Sequence, residues 1–128
     1  MNKTLTILLV EDEGPAIFAI EKYFLNAGYK VLKAFSAEEG LKTALENHPD
    51  AMILDVVMPT SSGLDVLPEL RDDSWGKNAK VIVFSNLSGD EYKARARKYN
   101  VEAYLIKTDT SLKELEDAVK RILSKNDH

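Results

Sequence analysis

Four short apolar runs in this chain each end on a side chain that can do chemistry. Ala51-Met52-Ile53-Leu54 runs into Asp55, Leu5-Thr6-Ile7-Leu8-Leu9-Val10 into Glu11-Asp12-Glu13, Val81-Ile82-Val83-Phe84 into Ser85, and Tyr104-Leu105-Ile106 into Lys107. A strand buried on both faces reads as such a run, and a carboxylate within one is costly unless it is paired or metal-bound. Asp55, which interrupts the apolar stretch from Ala51 to Pro59, therefore needs a partner. If the runs are parallel strands, their carboxyl ends meet at one sheet edge and bring together three carboxylates, a hydroxyl and an ammonium. That is the skeleton of a site for a divalent cation, which takes oxygen ligands, and for a phosphoryl group, whose charge needs donors.

The elements that would position these groups follow in order. Thr4–Val10 reads as a central strand, and Pro15 suits the first turn of a helix whose apolar positions Ile17, Ile20, Phe24 and Leu25 lead to a stop at Gly28. Tyr29–Ala34 is a second strand, more alternating and so less buried. Ser36-Ala37-Glu38-Glu39 is a capping box for a helix through Glu46, closed by Pro49. After the Asp55 strand comes a loop, Pro59-Thr60-Ser61-Ser62-Gly63, then a helix marked by Leu64, Leu67 and Leu70 with Ser62 as cap, in which Pro68 is expected to cost a backbone bond or kink it. Asp72–Asn78 reads as a polar turn with Trp75 as a half-buried lid, and Lys80–Phe84 as the fourth strand. Ser88-Gly89-Asp90-Glu91 gives a second capping box, for a helix ending at a left-handed Asn100. Val101–Ile106 is the fifth strand, and Ser111-Leu112-Lys113-Glu114 caps a last helix with the stripe Leu112, Leu115, Val119, Ile122 and Leu123.

Five strand-helix units imply an α/β fold: a doubly wound, five-stranded parallel sheet with helices on both faces and right-handed crossovers. The order 2-1-3-4-5 places the topological switch between the first and third strands, where Asp12 and Asp55 stand. The 128 residues make one domain, expected to carry no output domain. The absence of cysteine removes disulfides and thiolate metal sites, and a formal charge of −4 argues against generic affinity for nucleic acid or anionic membrane. Lacking a membrane-length apolar run or a signal-peptide pattern, the chain is expected to be cytoplasmic.

The acidic pair Glu11-Asp12, Asp55 with Met58-Pro59 and Gly63, Ser85 and Lys107, each in order after its strand, resemble the receiver domain of two-component response regulators, a flavodoxin-like fold, across essentially the whole chain. The resemblance implies Asp55 as phosphoacceptor. It implies Mg2+ held by Asp12, Asp55 and the backbone carbonyl of Val57, with Glu11 ligating through water. Lys107 and Ser85 would contact phosphoryl oxygens, and Ser85 and Tyr104 would form the switch. Implied partners are a sensor histidine kinase or histidine phosphotransfer protein, and a downstream protein on the face of the fourth helix, fifth strand and fifth helix, where Lys93, Arg95, Arg97 and Lys98 cluster. Direct DNA or membrane binding is not implied; the expected state is a monomer or a phosphorylation-dependent dimer.

Each residue also has a plainer role. Asp55 could be a helix-cap or turn aspartate, Glu11 or Glu13 a solvated or first-turn acid, Ser85 a loop cap, Lys107 a structural ion-pair partner, Tyr104 a core aromatic, and the basic cluster a solvated helix face. His48 and His128 read as loop and tail residues. The chain departs from similar receivers at Thr108, where proline is usual, and at Asn86, where a small residue is common and a larger one would narrow the path for phosphodonor or water. Apolar Val57 and Leu87 flank the site without positioning a water, which implies slow self-dephosphorylation. The reading is of a phosphoacceptor rather than an enzyme, with no nucleotide-binding loop. A receiver-like module that binds partners constitutively without phosphorylation is the alternative. A flavin binder would need a phosphate loop where Glu11-Asp12-Glu13 stands, and a related phosphatase would need Asp where Val57 stands.

Overall fold

A computed structural model describes residues 3–58 and 61–124; Pro59, Thr60 and His128, named above, lie outside the described residues. The elements are β1 (Thr6–Val10), α1 (Gly14–Asn26), β2 (Lys30–Ala34), α2 (Ala37–Asn47), β3 (Ala51–Leu54), α3 (Leu67–Asp72), β4 (Val81–Ser85), α4 (Asp90–Lys98), β5 (Ala103–Ile106) and α5 (Leu112–Ser124). The sheet is parallel throughout in the order β2-β1-β3-β4-β5. Side chains alternate across it. Leu8, Val10, Met52, Leu54, Val81 and Val83 pack with α2, α3 and Ala96 of α4, while Ile7, Leu9, Ile53, Ile82 and Phe84 pack with α1 and α5. The central strands are apolar without break because helices cover both faces. Edge strand β2 keeps only Ala34 fully buried, as its alternating pattern implies.

Capping sets the helix boundaries. Ser111 and Glu114 form the reciprocal box, each side chain accepting the other's backbone N–H at 3.1 and 2.8 Å. Ser36 accepts the Glu39 N–H at 3.1 Å, but Glu39 reaches one residue further back and accepts from Phe35. The expected box at Ser88 is absent. Gly89 is the cap of α4, its carbonyl taking the N–H groups of Tyr92 and Lys93, and Asp90 and Glu91 face the positive end of the helix dipole instead. Pro68 does not kink a helix. The chain from Gly63 to Val66 is a 3-10 turn boxed by Ser62 and Asp65, and α3 begins at Leu67, so Pro68 occupies the first turn, where no backbone donor is required.

Asn100 takes φ 60°, and the Val101 N–H closes onto Ala96, so β5 starts two residues later than the apolar run does. His48 ends α2 at φ 50° and stacks on the half-buried Trp75 ring at 4.5 Å.

Candidate functional site

The parallel ladder assembles the site. Register pairs Val10 with Leu54 and Leu54 with Val83, and the Asp55 N–H extends the pairing by one bond to the Val10 carbonyl at 3.0 Å. Glu11, Asp55 and Ser85 therefore emerge side by side at the carboxyl ends of β1, β3 and β4. Lys107 follows β5 in a 3-10 turn, Lys107–Asp109. With Asp12, Glu13, Val57 and Asn86, these four line a cavity of about 420 Å³ at the switch between β1 and β3.

Three of the polar residues are nearly closed to solvent, Glu11 at 2%, Asp55 at 6% and Ser85 at 0% exposure over the whole residue, so their charges and dipoles must be met by protein. Lys107 meets two of them. Its ammonium donates to Glu11 Oε1 and, at 3.0 Å, to Asp55 Oδ2. Asp55 Oδ1 accepts the Val57 N–H at 3.1 Å, and the buried Ser85 hydroxyl lines the same cavity beside it. Glu11 Oε2 accepts the Glu13 N–H at 3.1 Å, so both of its oxygens are engaged. Glu13 itself is exposed and caps nothing with its side chain.

Burial pushes the Asp55 carboxyl up, but the hydrogen bonds from Ser85 and Lys107, the lysine charge and the Val57 N–H outweigh it and hold the pKa below its ordinary value. For Glu11 burial wins over the Lys107 hydrogen bond, and the charge of Asp55 adds to it, so its pKa is raised. Burial would lower Lys107, yet its two carboxylate partners hold it above its ordinary value. At neutral pH the cluster thus holds an ionised Asp55 against an ammonium, and Asp55 lines the cavity.

Gly63 explains the shape of the loop after β3. Its N–H donates to Val56 O at 2.8 Å, and a Cβ there would stand 2.0 Å from the Asp55 carbonyl oxygen. Only glycine permits this approach. On the β4 side, the Leu87 N–H donates to the Ser85 hydroxyl at 3.3 Å, and the half-buried Tyr104 donates its hydroxyl to Leu87 O at 2.5 Å. Tyr104 and Ser85 thus hold one loop from two sides. Sequence reasoning missed a further bond, from the Thr108 N–H to Asn86 Oδ1 at 3.1 Å. It also missed Arg71, whose guanidinium donates to the carbonyls of Tyr99, Gly76 and Ala79 at 2.8 Å and of Asn100 at 3.1 Å. No spacing signal marks either one. Arg95, in the basic cluster, is spent on Asp65 at 2.5 Å.

Among the described residues no three acidic or histidine side chains form a ready metal cage. Asp12, exposed, and Asp55 nevertheless line one cavity. One or two carboxylates beside open solvent is the donor set magnesium accepts, because it keeps several of its waters. The residues fit such an ion.

The profile of the response regulator receiver domain matches residues 7–120. The chain belongs to the response regulator receiver domain family. Over 106 residues the receiver is 32% identical to the polar-differentiation response regulator DivK of Brucella ovis, covering 81% of this chain and 85% of that protein. It is 31% identical to the transcriptional regulatory protein PrrA of Mycobacterium bovis over 91% of this chain; it spans about half of that relative, 49% of its length. Among solved structures, the Francisella response regulator 1452 receiver domain superposes with a TM-score of 0.84 at 27% identity, covering 95% of this chain and 98% of that one. The chemotaxis protein CheY4 of Vibrio cholerae, at 22% identity, shares the fold with a TM-score of 0.86 over 94% of this chain and 99% of its own. The matched span, residues 7–120, contains all four strand-end residues and also Asn86 and Thr108.

Proposed function

We propose that this receiver accepts a phosphoryl group on Asp55 from the phosphohistidine of a kinase or phosphotransfer protein. The observation that carries the reading is the buried Asp55 carboxylate, met by the Lys107 ammonium at 3.0 Å and the Val57 N–H at 3.1 Å, lining an open cavity beside Ser85 and Asp12. An Asp55 oxygen attacks phosphorus, an acyl phosphate bond forms, and the P–N bond breaks with its electron pair going to the imidazole, which takes a proton from water. Magnesium, when bound by Asp12, Asp55 and the Val57 carbonyl, with Glu11 acting through water, would neutralise the phosphoryl oxygens. Lys107 leaves its carboxylate partners in part to meet a phosphoryl oxygen, and the Ser85 hydroxyl donates to another. Drawing Ser85 inward strains its bond to the Leu87 N–H, and Tyr104 is tied to the Leu87 carbonyl, so the loop and the ring repack together. The output is a change in protein binding on the face made by α4, β5 and α5.

Among the described residues no helix is long and apolar enough to cross a membrane. A cytoplasmic location and a soluble kinase domain as donor are part of this proposal. Intact mass after incubation with magnesium and acetyl phosphate tests it: one phosphoryl group should add to the native chain, none without magnesium and none on Asp55→Asn. No addition, together with no binding of beryllofluoride, would leave a module that binds partners without phosphorylation.

A further inference from the structure

Two unusual residues of this receiver touch each other. Asn86 follows the buried Ser85 at the cavity rim, Thr108 follows Lys107, and the Thr108 N–H donates to Asn86 Oδ1 at 3.1 Å. A backbone N–H can only donate, so the side-chain oxygen must face it and the amide orientation is chemically determined. Nδ2, with two N–H groups, is left without a protein partner among the described residues, and Asn86 is one of the residues that line the cavity. Proline at position 108 would have no N–H to give, and the amide would lose its anchor. The cavity is otherwise short of donors, since Glu11, Asp12, Glu13 and Asp55 all repel an incoming phosphate, and only Lys107, Ser85 and the loop backbone oppose them.

Resting on the phosphoacceptor reading above, we infer that Asn86, aimed by the Thr108 N–H, is a binding residue for the phosphoryl group, donating from Nδ2 to a phosphoryl oxygen during transfer. The bond forms between the amide and the incoming group and breaks none, so Asp55 remains the nucleophile. Asn86 then widens the set of donors instead of narrowing the path.

The test is the second-order rate constant for phosphorylation by acetyl phosphate with magnesium, followed by intact mass, and the affinity for beryllofluoride, followed by its fluorine resonance. Asn86→Ala should lower both by about tenfold, the size of one hydrogen bond to a charged group. Asn86→Asp keeps an acceptor for Thr108 and loses the donor, so it should fall at least as far. Thr108→Pro should lower both by a smaller factor, Thr108→Val, which keeps the N–H, should exceed Thr108→Pro, and Asn86→Ala with Thr108→Pro should be no slower than Asn86→Ala alone. Both positions are exposed, so urea midpoints should confirm that every variant is folded. Unchanged or faster loading of Asn86→Ala, or fully additive losses in the double variant, overturns the inference. A native chain that takes up neither phosphoryl group nor beryllofluoride overturns the proposed function, and this inference with it; a native chain that loads while the variants match it overturns the inference alone.

Discussion

Replacing Lys107 with methionine keeps the aliphatic stem and removes the ammonium that two buried carboxylates share. At 3.0 Å the attraction to Asp55 is about 5–6 kcal/mol for an effective dielectric of about 20. The desolvation of the lysine offsets part of that. Breaking a buried pair by removing one partner costs about 3–5 kcal/mol. The lysine side chain keeps 18% exposure against 3% for Glu11, which places the expected loss near the lower end, about 3 kcal/mol close to neutral pH. With a urea slope of about 1.5–2 kcal/mol per molar, the unfolding midpoint should fall by roughly 1.5–2 M.

The pH dependence separates this mechanism from loss of packing. Glu11 has a raised folded pKa, chiefly from burial, so its ionisation destabilises the fold as pH rises through that value. Asp55 has a lowered one, with burial opposing and Ser85 and Lys107 prevailing, so its contribution is present above the ordinary value of 3.8 and lost as pH falls through the folded pKa. Lys107 is raised above 10.5 despite its burial, so it stays charged throughout this window. Without it both carboxyls lose their lowering partner and move up. The deficit of Lys107→Met should therefore be largest at neutral to mildly alkaline pH, where both carboxyls are ionised, and shrink toward mildly acidic pH as the raised carboxyls take up protons. Urea midpoints of both proteins across that range give the comparison. An equal deficit at both ends, or a variant as stable as the native chain at the upper end, would refute the electrostatic reasoning.

Three other outcomes follow from particular contacts. Gly63→Ala must displace the loop beside Asp55, since the added carbon meets backbone at 2.0 Å; it should cost about 3 kcal/mol or more in urea unfolding, whereas Gly14→Ala, with nothing within 4 Å, should be within about 0.5 kcal/mol of native. Arg71→Ala strips donors from five carbonyls, that of Lys77 the most distant at 3.5 Å, and should cost about 2–4 kcal/mol, and Arg71→Lys, with no planar fork, should recover only part of it by the same measurement. The phosphorylated receiver should hydrolyse slowly, because the Val57 side chain is apolar and 56% exposed and Leu87 is apolar too, so neither holds a water against phosphorus; a half-life of seconds by intact mass would count against this.

The sheet and the strand-end residues were legible because one physical cause writes both. Burial on two faces forces continuous apolar runs, and a parallel ladder lines up whatever stands at their ends. Glu11 and Glu13 are two residues apart and alike in type, and only the structure separates them: one is enclosed by Lys107 and a backbone N–H, the other lies in solvent. Helix starts were legible where hydroxyl and carboxylate both found backbone donors, as at Ser111. At Ser88 the same letters failed, because glycine one residue later can enter the helix without a side-chain cap. Pro68 misled in the same local way. Its cost depends on whether a turn precedes it, and the 3-10 turn from Gly63, where that glycine approaches the Asp55 carbonyl, follows no helical or strand periodicity.

What stayed hidden was the traffic between loops. The Thr108 bond to Asn86 spans 22 residues and the Arg71 bond to Tyr99 spans 28, and none of these residues belongs to a periodic pattern. Yet such bonds decide how the visible chemistry is held. Lys107 opens the turn after β5 and Ser85 ends β4, and the proposed function would draw both toward a phosphoryl oxygen. Asn86 through Thr108 ties the two loops to each other, and Tyr104 through Leu87 ties the loop after β4 to strand β5. A shift at either residue is then shared by both loops, because each hydrogen bond must stretch or follow. Departures that look separate along the chain, an amide in place of a small residue and a threonine in place of proline, are a single structural choice, and reverting one without the other leaves either an unanchored amide or a backbone donor without its acceptor.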